Sequence, residues 1–476
     1  MRRTLSALIA LSLSACSGGG GSGSVVAGGG SGGGSTPTPS AAAGCTLRER
    51  QDWASAQLNE WYLFPETLPA SLNPAPYADL TSYVDALTAT ARSQGKDRYF
   101  TYVTSIAEEN AYYNSGASAG FGFRLYLNGN RLFSAETFEG TSALTAGIDR
   151  GTEITEIGND ASSLRSVSSI LAAGGSAALT DALGPNTAGT TRAMRVTDAA
   201  AGNRVVTLSK TDYSLTPVSA RYGAKIIDDG GHRVGYVNLR TFINTAETPL
   251  RNAFAQFKAA GVTEIIVDVR YNGGGLVSIA ELMGNLLGAN RSPSDVFDYM
   301  TFRASKSSSN TTSYFAAQSQ SVAPTRVAFI GTSSTASASE LVAAAMLPYL
   351  GNNLALVGGN TYGKPVGQIA VDKAACDDRF RIIAFALQNR DHQGAYFTGL
   401  ASLVPNTCKA ADDIAWPMGD AREASTRAAL DFIEGKACTP ITASAAAKAT
   451  AQAEIAREPL TPARPSVPQR DVPGLF

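Results

Sequence analysis

Residues 264–275 read EIIVDVRYNGGG, and this stretch decides the fold. Its first half carries an apolar run, which predicts a strand buried on both faces of a sheet. Asn272 and the three glycines after it predict a tight loop, and a helix is predicted over residues 277–287. A buried strand that leads through a tight loop into a helix is typical of α/β folds with parallel strands.

The sequence on both sides of this stretch alternates in the same way. Further strands are predicted at 234–239, 327–330 and 354–357, and further helices at 250–260, at 337–350 and within 413–434. Parallel strands need crossover connections, so this alternation predicts a mainly parallel sheet covered by helices. We assign residues 216–437 to this α/β domain.

Two further folded parts precede this domain. Residues 116–215 read as short strands separated by turns, among them a strand at 123–127 followed by the hairpin signal Asn128-Gly129. Residues 45–115 carry apolar side chains at helical spacing and no catalytic constellation, so they are predicted to be mainly helical. The sequence therefore predicts a multidomain α/β protein.

The first residues read as an export signal. Two arginines precede an apolar run at 5–13 that is too short to span a bilayer, and LSAC at 13–16 is typical of a bacterial lipoprotein cleavage site. An ordinary signal peptide that ends in small residues is the alternative. We expect residues 1–15 to be a lipoprotein signal peptide and Cys16 to be the lipidated residue.

A tether is predicted after this signal, over residues 16–44. From residue 17 onward it consists almost entirely of Gly, Ser, Ala, Pro and Thr without any charge, which predicts a flexible linker. Ser17 directly after Cys16 resembles outer-membrane sorting in lipoproteins of Gram-negative bacteria. No other apolar run reaches about 18 residues. We expect a lipid-anchored protein on the periplasmic side of the outer membrane.

Composition excludes several classes of protein. Of 476 residues, 44% are hydrophobic and 17% are charged, so the chain can bury a sizeable core and is too apolar to be wholly disordered. The formal net charge of -1 gives no electrostatic case for nucleic acid. His232 and His392 are the only histidines, which excludes a metal site built from several of them. We expect no metal and no organic cofactor.

Besides Cys16, the sequence contains Cys45, Cys376, Cys408 and Cys438. An even number in an exported protein predicts up to two disulfides, and four cysteines allow three pairings. We favour Cys376–Cys408, which would clip one C-terminal insertion, and Cys45–Cys438, which would tie the ends of the folded part. Free buried thiols are the alternative.

Four stretches occur in a diagnostic order. They are VGYVNLRTF (234–242), IIVDVRYNGGG (265–275), TASASELVAAAML (335–347) and LVGGNTYGKPVGQ (356–368). Together they resemble the C-terminal-processing (tail-specific) serine peptidases, over roughly residues 50–435. That resemblance implies a helical N-terminal part, a PDZ domain and a catalytic domain of crotonase/ClpP-like fold.

The resemblance also implies roles for three side chains. Ser337 matches the nucleophile, Lys364 its general base, and Gln368 the residue that orients the lysine. The chemistry agrees, because a hydroxyl attacks only when a base takes its proton. A lysine can serve as that base if burial lowers its pKa toward the working pH.

An oxyanion hole is expected around the start of the helix that follows Ser337, where the helix dipole favours negative charge. We expect the backbone N–H of Ala338, together with one from Gly273 or Gly274, to form it. The simpler alternatives are that SASE at 337–340 is only a helix-capping box and that the glycine loop is only a turn.

A peptide-binding loop is expected in the β-rich part, because the order of its elements resembles a PDZ domain. The residues that match the loop are Gly120, Phe121, Gly122 and Phe123. In that family the loop offers backbone N–H groups to a peptide C-terminal carboxylate, and the peptide adds a strand to the sheet. Thr152 stands where the family usually has Asp. The resemblance implies protein or peptide substrates with free C-termini.

These observations predict a serine endopeptidase that hydrolyses peptide bonds by a Ser-Lys mechanism. One alternative is a catalytically inactive PDZ-bearing binding lipoprotein. Another is an ester hydrolase that uses Ser118 with a histidine, although a strand follows that Gly-x-Ser-x-Gly motif where an elbow needs a helix. Backups for the nucleophile and base are Ser333, Ser334, Ser339 and Lys373. The Ala- and Pro-rich residues 438–476 are expected to form a poorly ordered tail.

Overall fold

The computed structural model describes residues 43–442 and 457–476, which belong to one unit. The predictions for the signal peptide, for Cys16 and for the tether up to residue 42 lie outside the described residues. Among the helices that are described, none is long and apolar enough to cross a membrane.

The helices follow the chain in this order: α1 (Leu47–Trp61), α2 (Leu80–Leu87), α3 (Ala89–Ser93), α4 (Ile106–Ser115), α5 (Ser142–Thr145), α6 (Val167–Leu183), α7 (Glu247–Ala259), α8 (Val277–Leu286), α9 (Ala338–Leu350), α10 (Ala424–Ile433) and α11 (Val467–Asp471).

The strands are β1 (Tyr102–Ser105), β2 (Ala117–Gly120), β3 (Phe123–Asn128), β4 (Arg131–Thr137), β5 (Glu153–Gly158), β6 (Arg165–Ser166), β7 (Thr191–Asp198), β8 (Gly202–Ser209), β9 (Thr211–Ser214), β10 (Lys225–Asp229), β11 (His232–Asn238), β12 (Glu264–Asp268), β13 (Val296–Phe302), β14 (Thr311–Tyr314), β15 (Arg326–Gly331), β16 (Leu354–Gly358), β17 (Val366–Lys373), β18 (Asp378–Gln388), β19 (Asn406–Lys409) and β20 (Glu458–Pro459).

The predicted parallel sheet is confirmed. Its strand order is β10-β11-β12-β15-β16-β19, and every pair from β11 to β19 is parallel. Alternate residues of β12 face opposite sides: Ile265 and Val267 belong to the core under α7, α8 and α9, whereas Ile266 packs with α10. The apolar run therefore forms a strand buried on both faces.

A second sheet was not predicted from the sequence. The long strand β18 pairs antiparallel with β1, β13 and β17, and β13 pairs with β14. Helices α1 and α2 pack against it, with the rings of Trp53 and Phe380 5.8 Å apart. The N-terminal part thus carries α1 to α4 and also contributes β1 to this sheet.

The β-rich part forms a sheet in the order β20-β3-β4-β5-β7-β8, with β6 beside β5. The hairpin at Asn128-Gly129 is confirmed, since Asn128 pairs with Arg131 across the β3–β4 turn. Helix α6, which the sequence analysis did not predict, covers the core of this sheet with Ile170 and Leu179.

The C-terminal residues correct one expectation. Residues 457–476 are ordered and not a loose tail: β20 pairs with β3, and Val472, Leu475 and Phe476 are at most 3% exposed. The contacts that hold them are main-chain hydrogen bonds to β3, which an Ala- and Pro-rich composition does not reveal. Residues 443–456 lie outside the described part.

The disulfides in the structure differ from the favoured pairs, Cys376–Cys408 and Cys45–Cys438, which are wrong. Cys45 pairs with Cys376 and Cys408 with Cys438, at Cα–Cα distances of 5.5 and 4.8 Å. Cys45 precedes α1, which lies on the β17–β18 hairpin, and Cys376 lies in the turn of that hairpin. Cys408 belongs to β19, and the segment after α10 runs beside that strand and brings Cys438 to it.

Candidate active site

Three loops meet at the carboxyl ends of neighbouring parallel strands. They follow β12, β15 and β16, and they carry Gly273, Ser337 and Lys364, respectively. Ligands of open α/β sheets bind in the crevice outside these strand ends. The predicted glycine loop, nucleophile and base therefore lie on one edge of the sheet.

Ser337 occupies a strained position between the loop and α9. Its φ of 57° and ψ of -117° lie in a region that a residue with a Cβ atom rarely adopts. The side chain is partly exposed, while Ala338, the first residue of the helix, is buried. The turn therefore presents a hydroxyl at the N-terminal end of a buried helix, where partial positive charge accumulates.

Glu340 joins the loop that carries Ser337 to the loop that carries Lys364. Its fully buried carboxylate accepts hydrogen bonds from the backbone N–H groups of Ser337 (2.9 Å), Gly363 (2.7 Å) and Lys364 (2.8 Å). Burial raises the pKa of Glu340, although a hydrogen bond from Thr361 and the three backbone bonds partly oppose this shift. In the sequence, Glu340 is marked only as part of a capping box, because its contact with Lys364 spans 24 residues.

Replacement of Glu340 tests this junction. Gln is nearly the same size but has one oxygen and one NH₂ group, so at least one of the three amides loses its acceptor. We expect Glu340→Gln to lower kcat/KM about 10-fold or more, because an unsatisfied buried donor costs ~1–3 kcal/mol and displaces a catalytic loop. Peptide hydrolysis and thermal unfolding measure it, with exposed Glu66→Gln as the control. Unchanged kcat/KM would contradict a positioning role.

The side-chain amine of Lys364 contacts Gln368 and Phe100. Its Nζ donates to Oε1 of Gln368 at 3.0 Å and lies 5.0 Å from the centre of the Phe100 ring. The amide of Gln368 in turn donates to the carbonyl of Phe100. Burial lowers the pKa of Lys364 to about 8. The structure therefore brings the predicted base and its predicted orienting residue together, and it adds Phe100, which no local pattern marked.

The glycine loop approaches the nucleophile closely at Gly274. A Cβ atom on Gly274 would lie 2.8 Å from Cβ of Ser337 and 3.2 Å from the backbone nitrogen of Ala338. The N–H of Gly274 donates to Oδ1 of Asn272, whereas the N–H of Gly273 donates at 2.8 Å to the carbonyl oxygen of Asp471. Of the two expected donors, Gly273 is therefore the one whose N–H points away from its own loop.

The loop predicted to bind peptide lies beside the last residue of the sequence. The N–H groups of Gly122 and Phe123 donate to the main-chain oxygen of Phe476 at 2.9 and 3.3 Å. A Cβ atom on Gly120 would lie 2.7 Å from the carbonyl carbon of Phe476. Phe121 is fully buried in the core behind this contact.

The alternative nucleophiles lie elsewhere or are engaged. Ser118 is in β2 and pairs with Tyr213 of β9, so its motif does not open a helix and the elbow interpretation is wrong. The hydroxyl of Ser334 hydrogen-bonds that of Tyr126, and Ser339 donates to the carbonyl of Asn272. Ser333 is exposed.

The two histidines and Lys373 have other surroundings. His232 contacts Glu264 at 2.7 Å, and His392 stacks on Tyr299 with ring centres 4.4 Å apart. Lys373 ends β17, at the turn that carries Cys376. Within residues 43–442 and 457–476, no group of three or more His, Cys, Asp or Glu side chains could hold a metal ion.

An open cleft adjoins the lysine loop. It has a volume of about 580 Å³, and its lining is mostly apolar, with Pro365 and Val366 directly after Lys364 and with Leu63 and Tyr396 among the other walls. Such a cleft can bury an apolar side chain next to the base.

Residues 233–394, which include Gly273, Ser337, Lys364 and Gln368, match the model of Peptidase family S41. No curated protein matches the chain.

Several solved structures are similar to this chain. A protein from Bacteroides fragilis NCTC 9343 assigned to the S41 proteases superposes with a TM-score of 0.61 at 21% identity, over 80% of this chain and 97% of that chain. The photosystem II D1 C-terminal processing protease matches over 76% of this chain and 92% of that chain, at 18% identity and a TM-score of 0.44. Mature CPAF complexed with lactacystin matches over 82% and 97%, at 10% identity and a TM-score of 0.46. The Bacteroides protein therefore shares the mixed α/β fold of this chain.

Proposed function

We propose that the chain is a serine endopeptidase with Ser337 as nucleophile and Lys364 as general base. The match of residues 233–394 to the model of Peptidase family S41 supports this proposal. The observation that carries the proposal is the Glu340 junction, which binds the backbone amides of both residues at 2.9 and 2.8 Å. Serine and lysine on two separate loops are thereby held at one site.

The proposed reaction needs no group beyond these side chains and water. Neutral Lys364 takes the proton of the Ser337 hydroxyl as its oxygen attacks the peptide carbonyl carbon. The resulting oxyanion accepts hydrogen bonds from the N–H groups of Gly273 and Ala338. Protonated Lys364 then gives its proton to the leaving amine, the C–N bond breaks, and an acyl-enzyme remains. Water, deprotonated by Lys364, releases the acid product and regenerates Ser337.

Recognition of substrate C-termini is proposed for the edge of β3. The N–H groups of Gly122 and Phe123 both point to one oxygen there, which is the arrangement that a terminal carboxylate requires. The apolar cores around Phe121 and Phe123 favour an apolar last residue.

Matched peptides test this recognition. We expect peptides with a free, apolar C-terminus to be hydrolysed with a higher kcat/KM than the same peptides amidated at the C-terminus, by about 10-fold, because charge-assisted bonds to an anion are worth ~1.5–3 kcal/mol. Cleavage is followed by mass spectrometry, with Ser337→Ala as the blank. Equal rates for acid and amide forms would remove the carboxylate site and leave the peptidase itself in place.

The proposed location is the periplasmic side of the outer membrane, with Cys16 as the lipid anchor. The support is the LSAC motif at 13–16 followed by an uncharged linker. We expect Cys16→Ala to move the protein from the membrane pellet to the soluble fraction or to leave it unprocessed, as fractionation and N-terminal mass spectrometry show. A wild-type protein that is fully soluble and starts downstream of Ser17 would contradict the anchor.

A further inference from the structure

The C-terminal residues cover the edge of β3 along nearly its whole length. Glu458 and Pro459 pair antiparallel with Leu127 and Tyr126, and the N–H of Leu460 donates to the carbonyl of Leu125 at 2.9 Å. An edge strand offers unpaired N–H and C=O groups to any added chain. Here the chain itself fills them.

The last three residues return to the same edge. The N–H of Leu125 donates to the carbonyl of Gly474 at 2.7 Å, Leu475 forms an antiparallel bridge with Arg124, and the N–H of Phe476 donates to the carbonyl of Phe123 at 3.0 Å. Alternating bonds of this kind are those of a peptide added as a strand to a sheet. The side chain of Phe476 is 3% exposed and belongs to the core of the β-rich part.

Between residues 460 and 474, which both contact β3, the chain passes over the candidate active site. The carbonyl oxygen of Asp471 accepts the N–H of Gly273 at 2.8 Å, so it occupies the donor that the reaction assigns to the oxyanion. A Cβ atom on Gly273 would lie 2.4 Å from the carbonyl oxygen of Arg470. The glycine is needed because the two backbones touch at this point.

The carboxyl group of Asp471 lies near enough to Lys364 for the two charges to interact. Burial lowers the pKa of Lys364 to about 8 and raises that of Asp471 to about 6, and the attraction between the two charged groups opposes both shifts. Its Oδ2 atom is buried and has no hydrogen-bond partner within the described part of the chain. Arg470 fixes the backbone next to it, with Nη1 3.2 Å from the carbonyl of Tyr99.

Arg124 links the covered edge of β3 to the glycine loop. This fully buried residue of β3 donates through one nitrogen to the carbonyl of Tyr271 at 2.6 Å, directly before the glycine loop, and to the carbonyl of Pro473 at 3.3 Å. The covered sheet edge and the covered catalytic loop therefore share one bridging side chain.

We propose that residues 458–476 are a built-in ligand of the peptidase, which fills the β3 edge with Gly474, Leu475 and Phe476 and the Gly273 donor with Asp471. The described form is thus self-blocked, and it opens to proteins whose apolar C-terminal residues compete for the same edge. A tethered ligand acts at an effective concentration of ~1 mM, so weak competitors leave the block in place. The inference rests on the proposed function for its catalytic part.

Binding of a separate peptide tests the occupied edge without catalysis. In a full-length Ser337→Ala background, residues 472–476 are deleted, and a labelled peptide Val-Pro-Gly-Leu-Phe is titrated by fluorescence anisotropy. We expect the deleted form to bind at least about 10-fold more tightly than the intact form, because the tethered copy competes. Phe476→Asp should behave like the deletion, and Phe476→Leu, which keeps an apolar side chain, like the intact chain. Equal binding by intact and deleted chains, or none by the folded deletion, would overturn the proposal.

The rate at which a fluorophosphonate labels Ser337 tests the blocked site. We expect the deletion to raise this rate at least about 10-fold, and the added peptide to return it toward the intact value. An unchanged rate in a folded variant overturns the block. Loss of residues 472–476 from wild type but not from Ser337→Ala would show that the segment is a substrate and also overturns it.

Two further readouts keep the outcomes separate. If the variants do not fold, hydrogen exchange of the unaltered chain decides: excess peptide must speed exchange of residues 466–476, and unchanged exchange overturns the proposal. If no form is labelled at Ser337 while peptide binding changes as expected, the proposed function fails and the built-in ligand of the β3 edge stands.

Discussion

Ser337→Ala is expected to lower kcat for peptide hydrolysis by about 10⁶-fold, the loss seen when a serine peptidase loses its nucleophile. Without the hydroxyl no acyl-enzyme forms, and the remaining oxyanion donors and binding contacts give only a small residual rate. The backbone bond from Ser337 to Glu340 does not involve the side chain, so the fold should be kept. Hydrolysis by the wild type and the variant, with thermal unfolding of both, measures the effect.

Neighbouring serines provide the controls. Ser118→Ala and Ser333→Ala remove hydroxyls that lie in β2 and on the exposed loop surface, and both variants should keep wild-type turnover. A Ser337→Ala variant that stays active would reject the nucleophile. A wild type without activity or fluorophosphonate labelling, even after deletion of residues 472–476, would favour the alternative of an inactive binding lipoprotein.

The parallel sheet could be predicted because its signal is local. The run at Ile265, Ile266 and Val267 is apolar on both faces, and only a central strand between two helix layers buries both. The second sheet could not be predicted in this way. Its central strand β18 pairs with β1, β13 and β17, which come from three distant parts of the chain, so no local pattern marks the sheet.

Residues of the candidate site could be proposed from the sequence where chemistry marks single residues, but not where only tertiary contacts mark them. Ser337, Lys364 and Gln368 stand in recognisable stretches, and the structure brings the last two into contact. Phe100, whose carbonyl holds Gln368, lies 268 positions away in a loop without any motif. The role of Asp471 could not be foreseen either, because composition predicts an unordered tail and says nothing of main-chain bonds to β3 and Gly273.

The predicted disulfide pairing was wrong for the same reason. The favoured pairs assumed that one bridge would tie the two ends of the folded part, but pairing follows which loops meet in space. Cys45 and Cys376 are 331 residues apart and meet because α1 packs on the β17–β18 hairpin. Cys408 and Cys438 are only 30 residues apart.

The second large effect concerns the base. Lys364→Arg is expected to lower kcat/KM by about 10²–10⁴-fold, as much as Lys364→Ala, because a guanidinium stays protonated at accessible pH and cannot accept the serine proton. Gln368→Ala should cost less, because Gln368 only orients Nζ at 3.0 Å. His232→Ala and His392→Ala serve as controls and should keep wild-type turnover.

The pH profile identifies the base independently of the size of the loss. Burial lowers the pKa of Lys364 to about 8, Asp471 and Asp97 raise it, and Arg470 and Arg381 lower it further. Only the neutral amine is a base, so kcat/KM should rise about 10-fold per pH unit below 8 and level off above it. Asp471→Asn removes a nearby negative charge and should move the rise to lower pH.

Three results would place the base elsewhere. A wild-type profile that is flat between pH 6 and 9, Lys364→Arg with near-normal turnover, or folded histidine variants without activity each contradicts the Ser-Lys pair. If the rise is seen and Lys364→Arg abolishes it while the histidine variants keep it, the ionisation belongs to Lys364. The lysine then works because its ammonium is buried against the Phe100 ring and Gln368, where desolvation makes the charged form costly.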